Sequence, residues 1–289
     1  MFHLDPLSTT IGFAATVGFV GMPHGGLDHH FGRALLKPWF GRSWMVAFGT
    51  AYLLVAMIIL ACWQWIPVVA LIVFFLLSAY HFGEEISGSV AKKLLFGGMP
   101  IWLPILVHPV EVSEILADMI PTWTSSRIVD YLMLTRPLFM VFCVLFVTVL
   151  FFEGSVESAI VPVLSAAAII LLPTLIGFTI YFCGIHSTRE LAALSRRQNS
   201  TDPASGLIRV LFAAAPLSLA AVALTIIVTV FFSSQTELRP VLVQAVFLGL
   251  SAVAVPHMLL HAIVRRRRAD PFPLSALGWT ARFRRGVPA

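Results

Sequence analysis

Charge is what this chain has least of. Only 11% of its 289 residues are Asp, Glu, Lys or Arg, against about 25% in soluble domains, so a water-facing globule is excluded. Cysteine is scarce as well. Cys62, Cys143 and Cys183 lie in apolar runs without CxxC spacing, which excludes a cysteine zinc site or a disulfide framework and leaves them as small core residues. The start of the chain lacks a basic region with a small-residue cleavage site, so the apolar stretch from Ser8 to Met22 is kept as a span rather than read as a removed signal. The net charge of +5 comes without interleaved aromatics or an RNA-binding signature, so no nucleic-acid partner is expected.

What the chain has instead is hydrocarbon: 58% hydrophobic residues and a mean hydropathy of +0.92. Several apolar runs reach the roughly 20 residues that cross a bilayer, so the expected fold is an all-α polytopic transmembrane helix bundle, one integral membrane domain over residues 1–289. Spans are read at 8–30, 43–64, 67–85, 137–152, 158–186, 207–233 and 241–264. Between the third and fourth, Leu94 to Pro109 is apolar but interrupted by Gly97, Gly98, Pro100, Pro104 and Pro109. With its neighbour up to Ile128 it reads as a short re-entrant or interfacial segment, the part from Glu111 being an amphipathic helix that lies at the inner interface. With about seven spans and the N-terminus outside, eighteen of the nineteen Lys and Arg fall on the cytoplasmic side, Arg239 alone remaining outside. That is the positive-inside pattern, and it fits a multi-pass protein of the cell (inner) membrane whose basic tail, 265–289, is cytoplasmic.

Four polar motifs interrupt the apolar helices: PHGGLDHH (Pro23 to His30), YHFGEE (Tyr80 to Glu85), GIHSTRE (Gly184 to Glu190) and PHMLLH (Pro256 to His261). Their histidines, His24, His81, His186 and His257, fall on the odd-numbered spans. Each lies about 15 Å or less from the inner boundary at 1.5 Å per residue. Each also has a polar partner four residues on: Asp28, Glu85, Glu190 and His261. Residues i and i+4 share a helix face, and a ligating imidazole uses its second nitrogen to donate to a carboxylate. Ionisable groups in a bilayer are costly and face a bundle interior, so this many together call for a compensating cation. A lone intramembrane histidine is ordinarily a packing residue, the reading given to His3 and His108. His29 and His30 continue toward the interface, Glu84 is read as a partner of Arg189, and Arg265 to Arg268 as a headgroup anchor. Phe74, Phe75, Phe231 and Phe232 are lipid-facing filler or the lining of a tunnel.

In order, spacing and total length these motifs resemble the bacteriorhodopsin-related-protein (Brp/Blh) family of membrane β-carotene 15,15′-dioxygenases. PHG-x-LDH and H-S-x-R carry the resemblance most specifically, and it covers nearly the whole chain. It implies an Fe(II) enzyme that splits the central double bond of β-carotene, or a related carotenoid, with O₂ to give retinal. The partners it implies are the lipid bilayer and a retinal-binding rhodopsin as product acceptor. Carried over by position, His24, His81 and His186 match the family's iron ligands and Asp28 the acid beside the first. The chain departs where the family reads H-S-x-R-H, because Glu190 replaces the last histidine. Two ligand sets stay open: three imidazoles with Glu190 as carboxylate, or a quartet completed by His257, with Asp28, Glu85, Arg189 and His261 around the ligands.

Other classes remain beside it. A di-iron membrane desaturase or hydroxylase is suggested by the spacing of His24 with His29 and His30 and of His257 with His261. An ion- or proton-coupled transporter would use buried His and acid pairs without chemistry, but no inverted repeat is evident. A b-type cytochrome would use two facing histidines and show a Soret band.

Overall fold

The computed structural model describes residues 5–86, 89–120, 122–137, 140, 141, 143–145, 148, 156–198, 202–233 and 237–266. Among them there are helices and turns and no strand, as a backbone in lipid requires. The chain is an all-α membrane helix bundle. Among the described residues four helical stretches are long and apolar enough to cross a bilayer, Pro6–Trp65, Val90–Val107, Ala204–Ile227 and Leu238–Val264, and Pro67–Gly83 and Ile160–Leu171 are shorter apolar helices. Large apolar side chains point outward along them, Phe212 being 71% exposed, as on helices that face lipid.

The chain opens with α1 (Pro6–Thr16), capped by the Asp5 carboxylate on the Ser8 amide at 2.8 Å. It widens into i→i+5 bonding over Val17–Gly21 and then tightens into a 3₁₀ turn over Met22–Leu27. Next come α2 (Asp28–Phe40) and, after a turn at Gly41 with φ +54°, α3 (Trp44–Trp65), to which α2 folds back. Pro67 starts α4 (Pro67–Gly83), and α5 (Val90–Val107) returns along it. Glycines allow that approach: a Cβ on Gly97 would strike the Ala79 carbonyl and the Gly83 backbone, and one on Gly83 the Lys93 carbonyl. The pairing of 79 with 97 and 83 with 93 makes the two helices antiparallel, a small-residue seam of the kind membrane helices use. Then follow α6 (Pro109–Ala117), α7 (Thr122–Leu134), α8 (Val156–Leu171) and α9 (Thr174–Thr179), which runs into an i→i+5 segment at Ile180–Ser187. The chain continues as α10 (Thr188–Gln198), α11 (Pro203–Ser233) and α12 (Leu238–Arg266).

Three expectations are corrected. The interval 158–186 is not one span: α8 ends at Leu171, and the chain reverses so that Gly177 packs against Ala168 and Ile169. Pro173 has no amide to continue the ladder, and hydropathy cannot register a reversal between two apolar arms. Leu94 to Pro109 does not break at its prolines, since Val90–Val107 is one continuous 18-residue helix with Pro100 and Pro104 inside. Neighbouring helices compensate for the lost backbone bonds. Third, Arg239 at the start of α12 lies 3.6 Å from Asp118 and 4.0 Å from Glu114, and Gln244 donates to the Asp118 carbonyl. The charge tally had put α6 and Arg239 on opposite faces of the bilayer; the ion pairs put them at one end of the bundle, where α5 delivers the chain. Burial raises the Asp118 carboxyl above its ordinary value. Arg239→Ala is expected to cost about 1 kcal/mol or less, as part-exposed pairs do, read as a fall of about 1–3 °C in the thermal midpoint in detergent. The interval 137–152 falls largely outside the described residues, as does most of the basic tail.

Buried side chains gather in two clusters. One, around Phe13, Phe82, Phe96 and Tyr181, joins α1, α4, α5 and the i→i+5 segment; the other, around Leu27, Phe31, Leu194 and Val210, joins α2, α10, α11 and α12. Met22 packs against the first and Leu27 belongs to the second, so the 3₁₀ turn carrying His24 runs between them.

Candidate metal centre

Four elements bring four imidazoles together. His24 sits in the 3₁₀ turn, which Pro23 starts and which Gly26 presses onto α11: a Cβ there would meet the Ala214 carbonyl at 2.6 Å. His81 stands near the end of α4, His186 in the i→i+5 segment and His257 one residue after Pro256 in α12. Ring centroids are 5.0 Å apart for His24 and His186, 5.6 Å for His24 and His257, 5.2 Å for His81 and His186, and 5.4 Å for His81 and His257. One ligand atom from each of His24, His81 and His257 falls within 4.8 Å of the others. Irregular turns carry two of the four, a tight 3₁₀ turn for His24 and a wide i→i+5 segment for His186, and wide segments recur where helices serve a site.

The ring nitrogens are divided between two jobs. His24 Nδ1 donates to the Gly21 carbonyl at 2.5 Å, His186 Nδ1 to Glu85 Oε1 at 2.6 Å and His257 Nδ1 to Asp28 Oδ1 at 2.7 Å. A carbonyl or carboxylate can only accept, so each of these rings carries its proton on Nδ1 and keeps the lone pair on Nε2. Both nitrogens of His81 and Nε2 of His186 are buried without a hydrogen-bond partner. Leaving such groups unmade in a bilayer interior costs about 1–3 kcal/mol each, a penalty that coordination to a cation removes. Nitrogen donors of this number and convergence fit a divalent transition metal.

The partners are not those that spacing suggested. The rule of four residues predicts His24 with Asp28 and His81 with Glu85; the structure gives Asp28 to His257 and Glu85 to His186. The rule presupposes an unbroken α-helix. A 3₁₀ turn separates His24 from Asp28, and α4 ends at Gly83, before Glu85. Only His257 and His261, both in α12, keep the expected stacking, with centroids 4.3 Å apart, and His261 Nε2 lies 3.7 Å from Asp28. Asp28, His257 and His261 form a second convergent donor group. Glu190, in the first turn of α10, belongs to neither group; His186 is outside them too and joins the set through its ring, 5.0 Å from that of His24 and 5.2 Å from that of His81. Arg189 Nε lies 3.7 Å from Glu85 Oε2, where Glu84 had been the expected partner. His108 Nε2 donates to the Ile169 carbonyl at 3.2 Å, a packing role, and the His29 and His30 rings pack at a tilt with centroids 4.0 Å apart. His3 is outside the described residues.

Two participants were missed. Tyr52 hydroxyl lies 3.0 Å from Asp28 Oδ2 and 2.9 Å from the Val253 carbonyl, and the wholly buried Tyr181 reaches Glu85 Oε1 at 3.4 Å. They are two of only four tyrosines, each inside an apolar run where a phenol must find a partner, and that was the available signal.

The imidazoles form part of the wall of a cavity of about 440 Å³, otherwise lined by Phe74, Phe75, Phe82, Phe178, Phe182 and Phe247 among other apolar residues. Such a volume lies within the roughly 300–1,000 Å³ of small-molecule sites. Phe74 and Phe75 thus line the interior; the side chains of Phe231 and Phe232 fall outside those described.

Comparison with known proteins gives the same direction. A family model described as BCD, beta-carotene 15,15'-dioxygenase, matches residues 15–265. The beta-carotene 15,15'-dioxygenase of uncultured marine bacterium 66A03 is 26% identical over 257 residues, covering 85% of this chain and 90% of the relative. No solved structure matches.

Proposed function

This chain belongs to the β-carotene 15,15′-dioxygenase family, and from that premise we propose that it holds Fe(II) on His24, His81, His186 and His257 and cleaves the central double bond of β-carotene, or a close carotenoid, with O₂. One C=C and one O=O bond are broken and two aldehyde C=O bonds form, so one C40 polyene gives two retinals with no proton or external electron consumed. The observation that carries the reading is a set of buried imidazole nitrogens without hydrogen-bond partners in the wall of an apolar, phenylalanine-lined cavity.

Bound iron would supply a Lewis-acidic, redox-active centre with positions open to O₂ and to the alkene. The rest is the protein's work. Nδ1 contacts to Gly21, Glu85 and Asp28 hold three rings in the tautomer that leaves Nε2 for metal. Phenylalanine rings along the cavity solvate a polyene and keep water from the cut ends, and the confinement fixes which bond lies beside the imidazoles. The apolar exterior and the bilayer spare the substrate a passage through water. A retinal-binding rhodopsin in the same membrane is the proposed acceptor of the product, and the bias of Lys and Arg supports an inner-membrane protein with its N-terminus outside.

Expression in a β-carotene-accumulating bacterial host tests the reading. Loss of carotene with appearance of retinal is expected on pigment extraction. Unchanged carotene beside folded, iron-loaded protein would sink it.

A further inference from the structure

Two of the four rings are held in the same manner, each by an acid borrowed from a different helix. Asp28 follows the turn of His24, yet it accepts from His257 on α12 at 2.7 Å, and its other oxygen accepts from Tyr52 on α3 at 3.0 Å. Glu85 follows the helix of His81, yet it accepts from His186 at 2.6 Å and from Tyr181 at 3.4 Å, with Arg189 Nε 3.7 Å from its second oxygen. Both carboxylates are deeply buried, at 2% and 3% exposure. The distances to Nδ1 are those of charge-assisted hydrogen bonds.

We propose that Asp28 and Glu85 are crossed positioning residues, each fixing the ring angle and tautomer of a histidine on another helix, with Tyr52 and Tyr181 holding the acids in turn. This rests on reading His24, His81, His186 and His257 as the metal-binding set. It gives the acids a different task from ligation: they make Nε2 the coordinating nitrogen and tie the first segment to the last and α4 to the i→i+5 segment. A carboxylate that orients a ligating imidazole raises its basicity as well as its order. Tyr52 sharpens the point, because one hydroxyl proton serves either Asp28 or Val253 at a given moment. The geometry thus describes a Tyr–acid–His relay made twice, on two sides of one ring of imidazoles.

The competing assignment for Asp28 is a second metal, held by Asp28, His257 and His261. The experiment separates the two. Full-length wild type, Asp28→Asn, Glu85→Gln, Tyr52→Phe, Tyr181→Phe and the remote control Glu114→Gln are purified in detergent and loaded with Fe(II). Iron per chain, iron affinity by chelator competition, and the electron paramagnetic resonance spectrum after addition of nitric oxide are measured. Wild type should hold one iron. Asp28→Asn and Glu85→Gln should bind it about 10–100-fold more weakly, with altered spectra, and the tyrosine variants should move the same way by less. The control should match wild type, and Asp28→Asn with Tyr52→Phe together should lose little beyond Asp28→Asn alone, as linked groups do. Should an acid variant fail to fold, its tyrosine partner, which loses one oxygen and keeps its shape, carries the test. Unchanged affinity and spectra in the acid variants would overturn the relays while leaving the functional reading intact. Two irons per wild-type chain would overturn the Asp28 relay in favour of the second metal, and the Glu85 relay would then stand or fall on Glu85→Gln. A wild type that takes no iron would overturn the functional reading and the relays with it.

Discussion

Purified His81→Ala is expected to hold less than about 1% of the wild-type iron under conditions that saturate wild type, and to release no detectable retinal in the carotene-accumulating host. The size follows from position. An orienting partner of a metal ligand is worth about 10–100-fold in affinity, and His81 would be a ligand itself, its two nitrogens buried with no hydrogen bond to fall back on. His257→Ala should behave alike, because its ring closes the set opposite His186. Glu190→Ala should keep its iron and most of its activity, since Glu190 joins neither donor group and is not among the residues that line the cavity, whereas His186 lines it and packs against His24 and His81. If Glu190→Ala loses iron and His257→Ala keeps it, the ligand set of three imidazoles and a carboxylate is the right one and the quartet is wrong. Total metal analysis of the same preparations reads the result without relying on turnover.

Gly97→Val should be the most damaging single change far from the imidazoles. A side chain at this position runs into the Ala79 carbonyl and the Gly83 backbone, atoms that cannot swing aside as a rotamer does. Overpacking of that kind costs about 3 kcal/mol or more when only backbone can give, a fall of roughly 6 °C or more in the thermal midpoint of a domain this size. The displacement would also travel, because the strand of contacts from 79 to 83 contains His81. Reduced iron occupancy in whatever fraction of Gly97→Val folds is therefore expected as well. A variant with a wild-type midpoint and full iron would show that α4 and α5 are not packed as described.

The sequence made the imidazoles legible because an ionisable side chain in hydrocarbon is expensive and so stands out against it. Membrane class and family were legible for related reasons, one from the scarcity of charge and the other from the ordered motifs. What stayed hidden depends on the path of the chain. Asp28 and Glu85 were picked out correctly as polar neighbours but matched to the wrong histidines, because spacing says nothing about where an α-helix gives way to a 3₁₀ turn or stops at Gly83. The reversal at Leu172 and Pro173 was invisible for a similar cause: two apolar arms have the hydropathy of one long span. Prolines at 100 and 104 were taken as breaks in α5, yet packing against α4 and α8 carries the helix through them. Charge counting separated Arg239 from α6, yet Arg239 pairs with Glu114 on α6 and with Asp118 just after it, a contact that no rule about loops anticipates.

The bond between Asp28 and His257 joins residues 229 positions apart. During synthesis, the segment bearing His24 and Asp28 enters the membrane long before α12 exists, so for most of translation its acid has no imidazole to accept from. The ring of four closes only when the last helix docks against the first. A chain cut short before α12 lacks the closing member, His257. The set of four rings therefore depends on both ends of the fold, and no shorter stretch of the chain carries it.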